Sequence, residues 1–97
     1  MILIVVSYDV STTTAAGKRR LRKVAKICED FGQRVQNSVF ECWVDPVQLI
    51  KLKRGLLDLL EPATDSLRLY FLGEQWRGRI EHFGTRSVLD PDGPLVL

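Results

Sequence analysis

An α+β fold, with two helices packed on one face of a four-stranded antiparallel sheet, is what this 97-residue sequence predicts, and three observations carry it. The chain opens on a β-branched, nearly continuous apolar run, Ile2-Leu3-Ile4-Val5-Val6, which suits a strand buried on both faces. Later segments, one after Thr14 and one after Asp45, repeat apolar residues at helical spacings, the pattern of a helix with one buried stripe. Short β-prone runs lie between and after those segments, so the order of elements is βαββαβ.

The first strand covers Ile2 to Tyr8 and meets Asp9 at its end. Ser11-Thr12-Thr13-Thr14 is a polar loop with several potential N-caps, and the first helix starts near Ala15. Leu21, Val24, Ala25, Cys28 and Phe31 share its core-facing stripe, and Gly32 is expected at C′, stopping the helix in a left-handed conformation. Short strands follow at Arg34 to Gln36 and Val39 to Val44, with the bend at Asn37-Ser38.

Asp45-Pro46-Val47-Gln48 reads as a helix start: Asp45 caps, Pro46 takes the first helical position, and Gln48 reaches back to complete a capping box. Leu49, Leu52, Leu56, Leu59 and Leu60 form the stripe of this second helix, Ile50 and Leu57 widen it, and Pro62 marks its end. Leu67 to Leu72 is then a strand with Leu67, Leu69 and Phe71 on one face and Arg68, Tyr70 and Leu72 on the other.

This order is the split-βαβ, ferredoxin-like arrangement, which leaves the second face of the sheet without a cover. Residues 1–84 are assigned to that domain. Near its end Arg79 to Phe83 reads as a further short strand, and beyond it Ser87-Val88-Leu89 and Pro94-Leu95-Val96-Leu97 flank the turn-forming Asp90-Pro91-Asp92-Gly93. The tail, 85–97, is expected to add strands at a sheet edge, that of a homodimer partner. A chain of this size leaves roughly a third or more of its unfolded surface exposed when folded alone, which favours such pairing.

Composition narrows the function. At 45% hydrophobic and 27% charged residues, the chain is neither disordered nor fibrous. Its N-terminal apolar run is too short for a membrane span and lacks the charged flank of a signal peptide, so a cytoplasmic protein without a membrane partner is expected. Cys28 and Cys42 lack CxxC spacing and have only His82 to join them, which favours buried free thiols over a zinc site. His82 has no serine or cysteine placed to work with it and is read as structural or superficial. Gly32, Gly73, Gly78 and Gly84 form neither a P-loop nor a dinucleotide fingerprint, so a nucleotide cofactor has no support.

The net charge of +2 hides a strong local asymmetry. Lys18, Arg19, Arg20, Arg22, Lys23 and Lys26 crowd one stretch without an acid, whereas acids gather later at Glu29, Asp30, Asp58, Glu61 and Asp65. Such a row suits sequence-independent contact with phosphates, its alternative being a solvated helix face. Trp43, Trp76, Phe40 and Tyr8 offer rings for base stacking, but Ser38-Val39-Phe40-Glu41-Cys42 lacks the third-strand signature of an RRM, so base readout is set aside.

Asp9 has two readings: a carboxylate for metal or phosphate chemistry at the end of a buried strand, or a cap for the first helix. One carboxylate is too little for a hydrolytic site built from a single chain, and two copies meeting across a twofold axis would supply the second.

Tyr8-Asp9-Val10 after the apolar strand, Lys18-Arg19-Arg20 opening a basic helix, Gly32-Gln33-Arg34-Val35-Gln36-Asn37-Ser38-Val39-Phe40-Glu41 at the hairpin and a late Glu81-His82-Phe83-Gly84 together resemble the CRISPR-associated protein two family. The resemblance spans the first 84 or so residues. It implies a homodimer of ferredoxin-like protomers whose C-terminal strands cross to the partner's sheet, with two copies of Asp9 near the dimer axis. Members are described as magnesium-dependent nucleases acting on RNA or double-stranded DNA. They are also described as the catalytically dispensable scaffold on which captured DNA lies in the complex with the CRISPR-associated integrase.

By the same resemblance Asp9 would be the catalytic carboxylate and Mg²⁺ ligand, with Tyr8 beside it, Arg19 or Arg20 and Arg34 near the phosphates, and Phe40 in the hairpin signature. The nucleic-acid-binding surface is expected to comprise Lys18, Arg19, Arg20, Arg22 and Arg34, joined by Arg77 and Arg79. The first expectation is a homodimeric, sequence-independent duplex DNA-binding scaffold for the integrase in spacer acquisition. The alternative is a Mg²⁺-dependent endonuclease, on RNA or double-stranded DNA, built on the paired Asp9 carboxylates.

Overall fold

Strand β1 (Ile2–Asp9) lies inside the sheet and divides its side chains between the two faces. Ile4, Val6 and Tyr8 are buried under the helices, while Leu3, Val5, Ser7 and Asp9 alternate onto the opposite face. This arrangement is seen in a computed structural model, which describes residues 1–84. The tail strands expected in 85–97 lie outside the described residues.

Both neighbours of β1 are antiparallel to it: β3 (Val39–Val44) on one side and β4 (Ser66–Gly73) on the other. With β2 (Gly32–Gln36) beyond β3, the order is β2-β3-β1-β4. Helices α1 (Ala15–Glu29) and α2 (Pro46–Leu59) cover one face, completing the ferredoxin-like α+β sandwich. Between the layers Val24, Ala25 and Cys28 of α1 and Leu52 and Leu56 of α2 meet β1 and the inward Phe40, Cys42 and Val44 of β3. Each valine or leucine among them stabilises the fold by about 1.5–3 kcal/mol through burial. Both cysteines are free thiols in this core.

The helix starts are local events. Thr14 caps α1, its Oγ1 accepting from the Gly17 amide at 3.0 Å. Asp45 and Gln48 form the expected capping box on α2, with Asp45 Oδ1 accepting from the Gln48 amide at 2.7 Å and Gln48 Oε1 from the Asp45 amide at 3.0 Å. Among the described residues no helix is long and apolar enough to cross a membrane.

Four expectations are corrected. Gly32 does not stop α1 in a left-handed conformation: the helix ends at Asp30 in the right-handed region, and Gly32 already belongs to β2. A glycine is needed there because a Cβ would lie 1.8 Å from the Glu41 carbonyl oxygen across the hairpin. Ile50 and Leu57 do not widen the buried stripe of α2, since each is 58% exposed. The helix packs on α1 and β3, which its Leu52 and Leu56 row reaches and those two residues do not.

Arg79 to Phe83 is not a strand. Gly73, at a φ of 77°, turns the chain off β4, and Arg77–Arg79 forms a 3₁₀ turn. Trp76 anchors this excursion by packing edge-on against Trp43 with ring centroids 5.7 Å apart. The second face of the sheet is therefore partly covered, because Leu3, Trp43 and Trp76 form a second cluster with Leu72 and Ile80.

Candidate nucleic-acid interface

At about 100° of helix per residue, Lys18, Arg19, Arg22, Lys23 and Lys26 fall within an arc of about 140°. That arc lies opposite the buried Val24 and Cys28, so the row faces away from the sheet. All five are exposed, and none pairs with an acid among the described residues. The row presents its charge to solvent.

Arg20 departs from it. Its Nε donates to Asp65 Oδ2 at 2.8 Å and its Nη2 to Asp65 Oδ1 at 3.1 Å, a two-pronged ion pair. The Asp65 side chain is 0% exposed and also accepts from the Tyr8 hydroxyl, from Thr64 Oγ1 at 3.0 Å and from the Glu61 amide at 3.2 Å. Burial opposes its charge, but the Arg20 guanidinium, helped by these other donors, holds its carboxyl well below the usual carboxylate range. Burial, followed by the bond to Asp65, pushes the Tyr8 hydroxyl up to about 12.

Asp65 thus ties the end of β1 to α1 and to the α2–β4 loop, a role that sequence reading missed. Only the pairing of β4 with β1, which sets Asp9 opposite Ser66, brings it near Tyr8. No local spacing announces it.

The other predicted arginines are spread apart. Arg34 braces the β2–β3 turn, donating from Nε and Nη2 to the Asn37 carbonyl at 2.9 and 2.6 Å with its guanidinium 5.5 Å from the Phe40 ring centre. Arg77 stacks 4.6 Å from the ring centre of Trp76, and Arg79 Nη1 donates to the Leu72 carbonyl at 3.0 Å. Those two sit near the Leu3 end of β1, about 20 Å along the strand from Asp9. The structure does not gather them around that carboxylate.

Asp9 itself is exposed on the second face of the sheet, so its charge carries no burial penalty, and the cap of α1 is Thr14. With Ser7, Tyr8, Ser38, Ser66, Arg68 and Tyr70 it lines an open depression of about 400 Å³. The Asp9 carboxylate and the serine hydroxyls of this lining are hard oxygen donors of the kind that suits Mg²⁺, which keeps several waters and takes one or two carboxylates plus phosphate oxygens. Among the described residues no three of His, Cys, Asp and Glu gather to hold an ion, so one chain brings a single carboxylate, Asp9, to this depression. The rings weighed for base stacking lie inside the protein: Tyr8, Phe40, Trp43 and Trp76 are all buried. His82 is exposed.

The chain has extensive matches among known proteins. A family model for CRISPR associated protein Cas2 matches residues 1–80. The CRISPR-associated endoribonuclease Cas2 of Chlorobaculum tepidum is 55% identical over 96 residues, which cover 99% of this chain and 100% of that protein. The CRISPR-associated endonuclease Cas2 of Halalkalibacterium halodurans is 48% identical over 95 residues, 98% of this chain and 99% of that one. The crystal structure of Streptococcus pyogenes Cas2 matches with a TM-score of 0.77 and 51% identity, over 84% of this chain and 99% of that chain. With the βαββαβ sandwich and an aspartate closing its first strand, the chain belongs to the Cas2 family of CRISPR-associated proteins.

Proposed function

We propose that the chain serves CRISPR spacer acquisition as a homodimeric scaffold that holds duplex DNA by its backbone, without reading sequence, for the CRISPR-associated integrase. The observation that carries this reading is the placement of the exposed cations. Lys18, Arg19, Arg22, Lys23 and Lys26 face outward from the helix layer, whereas Asp9 faces outward from the sheet. Backbone binding and any chemistry at Asp9 therefore use different surfaces of a protomer. Cations without partners are the groups that gain most from phosphate, because each neutralised phosphate releases counterions.

A homodimer fits the open edges of the sheet, where β2 and β4 each have one unpaired side among the described residues. Beside β4 an apolar groove lined by Lys53, Leu57, Leu67, Leu69 and Phe71 would receive the apolar tail of the partner.

A Mg²⁺-dependent endonuclease is the second reading, favoured by the exposure of Asp9 in a polar depression. It is favoured too by the names of the relatives, endoribonuclease in Chlorobaculum tepidum and endonuclease in Halalkalibacterium halodurans. Two Asp9 carboxylates, one from each copy, would hold the ion. When bound, such an ion supplies an activated water and offsets charge on the phosphate.

Asp9→Asn separates the two, since it keeps size and removes charge. Under the scaffold reading duplex binding and integrase-driven spacer integration persist, and any Mg²⁺-dependent cleavage of RNA or DNA shown by the wild type is lost. Failure of integration with the dimer intact would overturn the scaffold reading.

A further inference from the structure

We infer that the outward row of α2 is a docking seam for one amphipathic, carboxylate-flanked helix of a partner protein. On the scaffold reading above, on which this inference rests, that protein is the integrase. Val47, Ile50, Arg54 and Leu57 recur at spacings of three, four and three, so they stand in one row about 15 Å long, opposite the buried Leu52 and Leu56. Val47 is 61% exposed, and Ile50 and Leu57 are each 58% exposed. Three aliphatic side chains aligned on one helix face differ from the scattered single exposures that a protein surface normally shows. The sequence pattern assigned Ile50 and Leu57 to the buried stripe, and their exposure is what leaves them for a partner.

The spacing is that of the a and d positions of a heptad, which a second helix meets by inserting its own apolar row between them. The charges around the row choose the partner. Arg54 stands within it, Lys51 and Lys53 flank it, and between Asp45 and Asp58 the chain carries no acid. All three cations are exposed, and none is in an ion pair among the described residues. A second copy of α2 would set these cations against one another, so the row is not self-complementary. The backbone of a duplex would meet the cations but offers nothing to Val47 and Ile50, whose burial needs apolar surface. A helix with an apolar row and carboxylates beside it satisfies both kinds of residue.

The row also stays open in the homodimer. It points away from the sheet, whereas the two copies proposed above join through strand edges and the groove beside β4. Leu57 lines that groove as well, so the seam rests on Val47, Ile50 and Arg54. Its neighbour on the other side is α1: a Cβ on Gly55 would stand 3.3 Å from Ile27, so the two helices lie in contact. A protein seated on the α2 row would therefore lie beside a duplex held by the α1 row, as a scaffold for an integrase requires.

The test measures binding of the full chain to the purified integrase without DNA, by isothermal titration calorimetry, for wild type, Ile50→Gln and Arg54→Glu. Both substituted side chains are exposed and both replacements are good helix formers, so α2 should persist. Ile50→Gln is expected to weaken binding by about 10-fold or more, the loss of an interface anchor. Arg54→Glu is expected to weaken it by about 10-fold, with a larger loss at low salt. Duplex affinity and the mass of the dimer in light scattering should change little in either. An unchanged integrase affinity in either variant would overturn the assignment while leaving the scaffold reading intact, since the integrase would then dock elsewhere on the dimer. So would duplex binding that falls as far as integrase binding does, which would make the row a nucleic-acid contact. A wild-type assembly that Ile50→Gln splits into smaller ones would overturn it too, making a second copy the occupant. A wild type that does not bind the integrase removes the scaffold reading and this inference together.

Discussion

Neutralising the outward row of α1 should change how duplex binding depends on salt, more than it changes the protein. Replacing Lys18, Arg19, Arg22, Lys23 and Lys26 by glutamine removes only exposed charges that have no acidic partner among the described residues. Glutamine matches Lys and Arg closely in helix propensity, so α1 should persist. If each cation neutralises one phosphate, five losses lower the salt slope by about 4.5 per protomer, and by about 9 where both protomers lie on one duplex.

A slope difference of about 4.5 corresponds to about 500-fold between about 50 and 200 mM salt, well within reach of fluorescence anisotropy. Arg20→Gln is the internal control. Because Arg20 is committed to Asp65, this variant should lower the melting temperature and leave the slope nearly unchanged. A five-fold substituted variant whose slope differs from wild type by less than about one would show that the row is merely solvated.

Two predictions concern stability. The Tyr8 hydroxyl titrates near 12 in the folded chain against about 10 unfolded, so between those values the unfolded chain releases a proton that the folded chain keeps. Its contribution is complete below about pH 10 and is lost as pH rises toward 12; denaturant midpoints should therefore fall more steeply over this range for wild type than for Tyr8→Phe, and parallel curves would contradict the Tyr8–Asp65 contact. Gly32→Ala should destabilise the fold by about 1–3 kcal/mol or more, since a Cβ at that position would meet the Glu41 carbonyl at 1.8 Å. An unfolding midpoint equal to wild type would mean that the β2–β3 crossing is looser than described.

The layered fold was legible because its signals are local. The continuous apolar run of β1, the helical stripes, the threonines before α1 and the Asp45-Pro46-Val47-Gln48 start each depend on residues a few positions apart. What escaped depends on contacts between distant segments. Gly32 is fixed by a carbonyl on the neighbouring strand, and Trp76 turns the late segment onto the second face by reaching Trp43.

The candidate site divides in the same way. Helical period alone identifies the outward row, and it already sets Arg20 about 200° from Lys18, on the side that meets Asp65. The partnership itself depends on how β4 returns beside β1. Asp9, at the end of a strand whose sequence reads as buried, is exposed and lines a polar depression.

The most direct test of a homodimeric duplex scaffold is the stoichiometry of the complex that the chain forms with a mixed-sequence DNA duplex, measured by light scattering during size-exclusion chromatography. Two chains per duplex are predicted, for wild type and for Asp9→Asn alike. One chain per duplex, or an Asp9→Asn chain that no longer binds, would contradict it.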